Sequence, residues 1–196
     1  MGVSNVAVSG LVWGAVASPV GEISVACSAA GLARVGFGPP PFRPGPAGDP
    51  SGGSPGPASA HLDAALAQLT GYFAGQRRAF DVPVDWAGMS PAQRQVLPVL
   101  LALAGYGETV TYGELARRAG LADGSTVPAA RVAGQIMGSN PCAIIVPCHR
   151  VVASDGLGGY SGGTGIEVKR WLLIFEGALP PTLDWDASGP AGPGLS

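Results

Sequence analysis

Asn140-Pro141-Cys142-Ala143-Ile144-Ile145-Val146-Pro147-Cys148-His149-Arg150-Val151-Val152 sets a cysteine directly behind a proline and directly before a histidine, after a short apolar run. A cysteine attacks only as thiolate, and a nearby imidazole is one of the few groups that promotes thiolate at neutral pH. Pro147 fixes its own φ and pushes Val146 towards an extended conformation, so Cys148 is expected at a rigid, strand-like exit. Adjacent side chains do not face each other on a helix, so a water bridging Cys148 and His149 is easier to build than direct contact. Taken alone, a buried structural cysteine beside a surface histidine is the ordinary reading of such a pair.

Upstream, Ser90 is a good N-cap with Pro91 at the first helical position, leading a helix over 92–104. Pro98 lies inside that pattern and is expected to kink or break it. Thr111 and Glu114 form a capping-box pattern for a short helix running to about Ala119, with Gly120 as its stop. A loop over 121–127 leads to Pro128, which starts a second short helix over 129–138. Short helix, loop and short helix with small residues on one face reads as helix-turn-helix, although many helical pairs share that pattern. Downstream, 155–163 is glycine-rich and permits close backbone approach. A helix over 167–176 then ends at Glu176-Gly177, with Leu172, Leu173 and Phe175 as core.

Towards the N-terminus, 11–17, 22–27 and 32–37 read as three short strands of a β-meander, joined by Ser18–Gly21 and Ser28–Gly31 turns. Cys27, at a strand end, needs no role beyond that of a small buried hydrophobe. Residues 38–57 are a Pro/Gly/Ser segment expected to be a mobile loop. Leu62, Leu66, Leu69, Tyr72 and Phe73 fall at helical spacing over 58–74, with Gly75 as the stop. Residues 79–86 alternate like an edge strand, Pro83 excluding them from a sheet centre.

Pro147-Cys148-His149-Arg150 resembles the active-site signature of the O6-alkylguanine-DNA alkyltransferases, the methylated-DNA–protein-cysteine methyltransferases. Asn140-Pro141 and Tyr160-Ser161-Gly162-Gly163 stand where that family has them. Tyr112-Gly113-Glu114-Leu115-Ala116 resembles the opening of its first DNA-binding helix, and Ala130-Arg131-Val132 the start of its recognition helix. The resemblance covers residues 11–178, is strongest over 106–177 and is loose over 38–88. It implies an α+β fold: a small N-terminal α/β domain (1–88) with an antiparallel sheet, packed on a helical domain (89–179) with a winged-helix-like helix-turn-helix. The Gly/Pro-rich 180–196 reads as a disordered tail.

The resemblance also implies chemistry. The substrate is O6-alkylguanine in double-stranded DNA, with O4-alkylthymine as a second lesion, approached from the minor groove. A stacked base cannot be reached, so the nucleotide is flipped out. Arg131 fills the vacated space by resemblance; without the motif it reads as a solvated helix charge. Tyr112 crowds the target phosphate and donates towards the guanine N3; otherwise it is a core tyrosine. Gln93, Thr126 and Ser154 stand at backbone contacts, and Gly113 and Ala130 join the implied DNA-binding residues. Main-chain groups of Cys148 and Val151 hold the guanine edge, while Tyr160 and Ser161 close over it. Glu176 orients His149, giving a thiol–water–imidazole–carboxylate relay, and Asn140 ties the turn before the recognition helix to the active-site strand. The product is a thioether, formed once and irreversibly, with no cofactor. Some family members hold a structural zinc, but Cys27, Cys142 and His61 lack ligand spacing, so no metal is expected. The family usually has a phenylalanine at Ala92 and other residues at Pro98, and the 155–159 loop is one residue shorter than in some relatives.

Composition is permissive. The 196 residues carry net charge −2, and 90–180 hold seven basic against six acidic side chains, so DNA binding must rest on local arginine placement. Three cysteines form no disulfide framework and suit a reducing cytoplasm, with nucleoid association on DNA. No run of eighteen apolar residues exists, and the first basic residue, Arg34, comes too late for a signal peptide. Val6 stands where myristoylation needs Ser or Thr. A monomer with no membrane and no obligate protein partner is expected. Three other readings compete. Alkyltransferase-like proteins sense the same lesions but lack the cysteine, which is present here. A cysteine hydrolase would need an oxyanion hole, which no motif places. A transcription regulator would need a dimerisation or effector segment.

Overall fold

The computed structural model describes residues 10–40, 56–122, 127–183 and 186–190. Most of the 38–57 loop, Thr126 and residues 191–196 of the tail lie outside the described residues.

Strands β1 (Val12–Ser18), β2 (Gly21–Ser28) and β3 (Gly31–Phe37) form an antiparallel sheet in the order β1-β2-β3. Helix α1 (Pro57–Phe73) covers one face, burying Ala65, Leu69 and Tyr72 against Ile23, Val25, Cys27, Leu32 and Val35. Gly14, in the middle of β1, has a packing reason: a Cβ there would come within 2.9 Å of Leu66. The expected edge strand over 79–86 does not form. Only a single parallel bridge, Leu32 to Val84, is made there, with Leu32 N donating to Pro83 O at 2.7 Å and Asp85 N to Leu32 O at 2.8 Å. Pro83 has no N–H for a ladder, and its carbonyl lies so close to Gly31 (φ 142°) that any side chain at 31 would clash.

Helix α2 (Pro91–Leu103) starts in a complete capping box: Gln93 N donates to Ser90 Oγ at 3.3 Å, and Ser90 N donates to Gln93 Oε1 at 2.8 Å. Ser90→Ala is expected to cost about 1 kcal/mol of stability, seen as a lower midpoint in thermal or denaturant unfolding. Pro98 does not break the helix as expected; Val96, Leu97 and Leu100 are buried around it, and core packing holds the element continuous. Strand β4 (Val110–Thr111) leads directly into α3 (Tyr112–Arg118), capped by Thr111 Oγ1, and α4 (Ala129–Gly138) packs across it. Ala116, Ala129 and Ala133 form the contact, and their small side chains let the two helices of the helix-turn-helix approach closely. Strand β5 (Val151–Val152) pairs in parallel with β4, and α5 (Ile166–Phe175) is buried along most of its length.

The fold is thus α+β, an antiparallel N-terminal sheet on a helical C-terminal domain, and the two share one core. They are also joined by backbone: Val35 N of β3 donates to Pro141 O at 2.8 Å, and Val35 bridges Cys142. The N-terminal sheet edge therefore abuts the Cys148 segment. In the tail, Trp171 Nε1 donates to Asp186 O at 2.7 Å. Among the described residues no helix is long and apolar enough to cross a membrane.

Candidate active site

The apolar run before Cys148 is a compact turn and not the strand-like exit expected from its composition. Asn140 clamps it from both ends: its Oδ1 accepts from Cys142 N at 3.0 Å, and its Nδ2 donates to Val146 O at 2.8 Å. Val146 N returns to Cys142 O at 2.8 Å, and Ile144 is forced to φ 70°, a costly conformation for a β-branched residue. Pro147 (φ −83°, ψ 63°) sits at the centre of an inverse γ-turn closed by Cys148 N to Val146 O at 2.8 Å. A 3₁₀ turn over Cys148–Arg150 follows, and with three residues per turn successive side chains leave it about 120° apart.

Cys148 lies at the bottom of a cavity of about 540 Å³ whose lining includes Tyr112, Ala130, Arg131, Met137, Tyr160 and Ser161. The recognition-helix position Arg131 is exposed at its rim. Burial raises the Cys148 pKa; the Asn140 side chain, the Cys148 main chain, Lys169 and Tyr160 oppose that without overcoming it. The resting group is therefore a thiol.

Behind Cys148 stands a fully buried polar cluster. His149 Nε2 is 3.0 Å from Glu176 Oε1, and both side chains are completely shielded from solvent. Burial lowers the His149 pKa more than Glu176 raises it, so the ring is neutral at pH 7. In that state Nε2–H donates to the carboxylate, which leaves Nδ1 as the acceptor. Nδ1 is buried and makes no hydrogen bond among the described residues, so its lone pair is available as a base. Arg150 grips the same carboxylate, Nε to Oε2 at 2.8 Å and Nη2 to Oε1 at 2.9 Å, and its Nη1 donates to Ala104 O at 2.7 Å. Tyr72, from α1, donates its hydroxyl to Glu176 Oε1 at 2.7 Å. Burial works to raise the Glu176 pKa, but His149 and Arg150 outweigh it and hold the carboxyl ionised, at about 2.

The loop after the cysteine is pinned by Lys169. Its ammonium is fully buried and donates to Val151 O at 2.6 Å, Leu157 O at 2.5 Å and Gly159 O at 3.1 Å. Burial lowers its pKa to about 8. The Val151 carbonyl, a candidate guanine contact, is thus already oriented by a cation. Tyr112 donates to Gly159 O at 3.2 Å, and its ring lies 5.6 Å from Lys169 Nζ. Ser161 Oγ donates to Gly138 O at 3.1 Å, which ties the loop to the end of α4. The Tyr160 hydroxyl is buried beside Cys148, and its interaction with the sulfur is one of those that favour the anion there. Phe37 of β3 packs edge-on to Tyr160 at 6.3 Å and leaves no room for a side chain at Gly162.

The remaining candidates lie apart from the thiol. Gly113 is exposed at the start of α3, and Ser154 is exposed in the turn closed by the Ala153–Gly156 bridge. Gln93 is engaged inside the chain: besides the capping box, its Nε2 donates to Ser139 O at 2.7 Å. His61 Nδ1 lies 3.2 Å from Ser28 O. Among the described residues no cluster of three His, Cys, Asp or Glu side chains could hold a metal ion.

Two family models account for most of the chain. Residues 11–86 match the ribonuclease-like domain of 6-O-methylguanine DNA methyltransferase, and residues 91–178 match its DNA-binding domain. The crystal structure of Mycobacterium tuberculosis OGT in complex with DNA superposes with a TM-score of 0.67 at 34% identity, covering 91% of this chain and 95% of that one. The chain belongs to the 6-O-methylguanine DNA methyltransferase family. A methylated-DNA–protein-cysteine methyltransferase of M. tuberculosis is 48% identical over 118 residues, 60% of this chain and 66% of that protein. A DNA base-flipping protein of Thermus thermophilus is 44% identical over 110 residues, 55% of this chain and 68% of that protein.

Within this family member, sequence reasoning reached His149 and Glu176 but missed Tyr72, Arg150 and Lys169. In the sequence Arg150 stands out only as part of the motif, and Lys169 only as a position within the 167–176 helix. A lysine four residues after Gly165, among Val168, Leu172 and Leu173, was the one available signal: a charge on the buried face of a helix requires partners. Nothing near Tyr72 in the sequence points to a carboxylate 104 residues away.

Proposed function

We propose that this chain repairs O6-alkylguanine in double-stranded DNA by moving the alkyl group onto its own Cys148, once per molecule. The observation that carries this is Cys148 at the bottom of a cavity rimmed by Arg131 of α4, with a neutral, carboxylate-bound imidazole behind it. The enzyme activity is methylated-DNA–protein-cysteine S-methyl transfer. O4-alkylthymine fits the same displacement, since its alkyl carbon also sits on an exocyclic oxygen. DNA is met on the minor-groove side, where Arg131 would occupy the space of the flipped nucleotide.

The resting thiol must lose its proton as it attacks. His149 Nδ1 is the acceptor, reached through one water, and Glu176 steadies the imidazolium that forms. The Cys148 Sγ–carbon bond forms as the carbon–O6 bond breaks; the leaving guanine takes one proton from solvent as the imidazolium returns the thiol's proton to solvent, so thioether and guanine are both neutral. Tyr112, on the cavity wall, donates to Gly159 O at rest and would turn that hydrogen bond towards the base edge once the base has entered. Lys169 lies near enough to Cys148 to favour its anion and holds the loop carbonyls that frame the base. A thioether has no good leaving group, so no second turnover follows.

The alternative is lesion sensing without transfer; the T. thermophilus relative is named a DNA base-flipping protein. Intact mass and peptide mapping after mixing with an O6-methylguanine oligonucleotide separate the two. Gain of one methyl on the Cys148 peptide, absent in Cys148→Ser, is the expected result. Unmodified protein that still binds the oligonucleotide would favour sensing, and neither binding nor transfer would exclude both.

A further inference from the structure

Glu176 is the last residue of the relay, yet one of its ligands comes from the other domain. Four donor groups converge on its two oxygens: His149 Nε2, Arg150 Nε, Arg150 Nη2 and the Tyr72 hydroxyl. Three of them share Oε1, so they compete for the same electron density. Tyr72 is completely buried, and its ring is fixed by Phe73, Phe80, Tyr106 and Phe175 at centroid distances of 5.0, 5.4, 6.2 and 5.5 Å. Burial and the adjacent Glu176 charge keep it a neutral phenol, so its hydroxyl has a proton to donate. Such a donor is poorly placed to be mere packing, because a phenylalanine would fill the same space without burying a polar atom.

We propose that Tyr72 is a positioning residue for alkyl transfer: its phenol fixes the carboxylate that holds the His149 base, so the N-terminal domain completes the relay behind Cys148. The inference rests on the transfer reading given above, and it adds that the N-terminal domain acts on the chemistry as well as on stability. The charged and titratable groups facing this cluster are Arg150 from the 3₁₀ turn, Lys169 from α5, Cys148, Tyr160 from the following loop, Tyr106, and Arg78, whose guanidinium lies 5.4 Å from the Tyr106 ring. Removing the phenol proton from Oε1 leaves the carboxylate richer in electron density and strengthens its hold on an imidazolium. The sign follows: without the Tyr72 hydroxyl, His149 is protonated at higher pH.

The test is Tyr72→Phe in the full chain, with Tyr106→Phe as control; the Tyr106 hydroxyl donates to Phe175 O at 3.3 Å and not to the carboxylate. Two quantities are followed against pH: the single-turnover rate of methyl uptake, and the His149 imidazole by NMR. In Tyr72→Phe the acidic limb of the rate and the imidazole titration are expected to move together to higher pH. A shift of about half a unit gives about a threefold rate difference on that limb. Affinity for lesion DNA, measured on a Cys148→Ser background, should be unchanged. If neither curve moves, or if Tyr106→Phe moves them equally, the inference is overturned. A parent chain that takes up no methyl would instead sink the transfer reading, while the imidazole titration would still report on the Tyr72–Glu176 connection.

Discussion

Glu176→Gln is expected to lower stability by about 3–5 kcal/mol, the usual penalty for removing one partner of a buried ion pair. The reason is donor crowding. The Oε1 position accepts from His149, Arg150 and Tyr72, and the Oε2 position accepts from Arg150 Nε. An amide nitrogen at either place would face an N–H or O–H it cannot accept, and the buried Arg150 would lose its counter-ion. Denaturant unfolding measures the loss. The pH dependence supplies a second test with a definite sign. The folded carboxyl, at about 2, binds a proton less readily than an unfolded glutamate. Its contribution is therefore complete above the ordinary carboxylate range and falls away as the pH drops through that range towards 2. Glu176→Gln should lack this component of acid destabilisation. Methyl uptake by the variant should fall with it, since the imidazole loses its orienting group.

Lys169→Met is expected to separate activity from stability. Methionine keeps the length and apolar stem of lysine and removes a buried cation, which by itself relieves a desolvation cost. What is lost is the single group that ties Val151 O, Leu157 O and Gly159 O to α5. The loop walls of the cavity, Gly159 to Ser161, would keep only their ties to Tyr112 and Gly138, and a misplacement of about 1 Å at a reacting centre can cost roughly 10²-fold in rate. Single-turnover methyl uptake should show a loss of about that size, with a much smaller change in unfolding midpoint. In the parent, Lys169 is charged below about 8 and neutral above it, so the rate should decline as pH rises through that value. Lys169→Met should lack that decline; a variant as fast as the parent would show that the carbonyl clamp is dispensable.

Local patterns explain why parts of the fold were legible beforehand. The three short strands are punctuated by Gly21 and Gly31, and α3 and α4 carry their own start signals at Thr111 and Pro128. Cys148 and His149 are adjacent in sequence, so their proximity needed no folding to infer. Three features depend on tertiary context instead. Residues 142–146 have strand-like composition, but Asn140 closes them into a turn through hydrogen bonds that hydrophobic pattern does not encode. Pro98 should break an isolated helix, yet α2 is decided by what Val96, Leu97 and Leu100 bury. Tyr72, Arg150 and Glu176 are far apart in sequence, and only the docking of two domains makes them neighbours.

That long separation bears on how the protein becomes competent. The carboxylate at 176 is synthesised after every group it serves: the phenol at 72, the imidazole at 149 and the guanidinium at 150. A chain still emerging from the ribosome can close the β-meander and lay α1 over it, but His149 behind Cys148 has no carboxylate partner until α5 has folded back across both domains. Contacts of such high sequence separation form late and slowly. On the transfer proposed above, nascent and half-folded molecules therefore carry an idle thiol that is spared from reaction before the DNA-binding face is built.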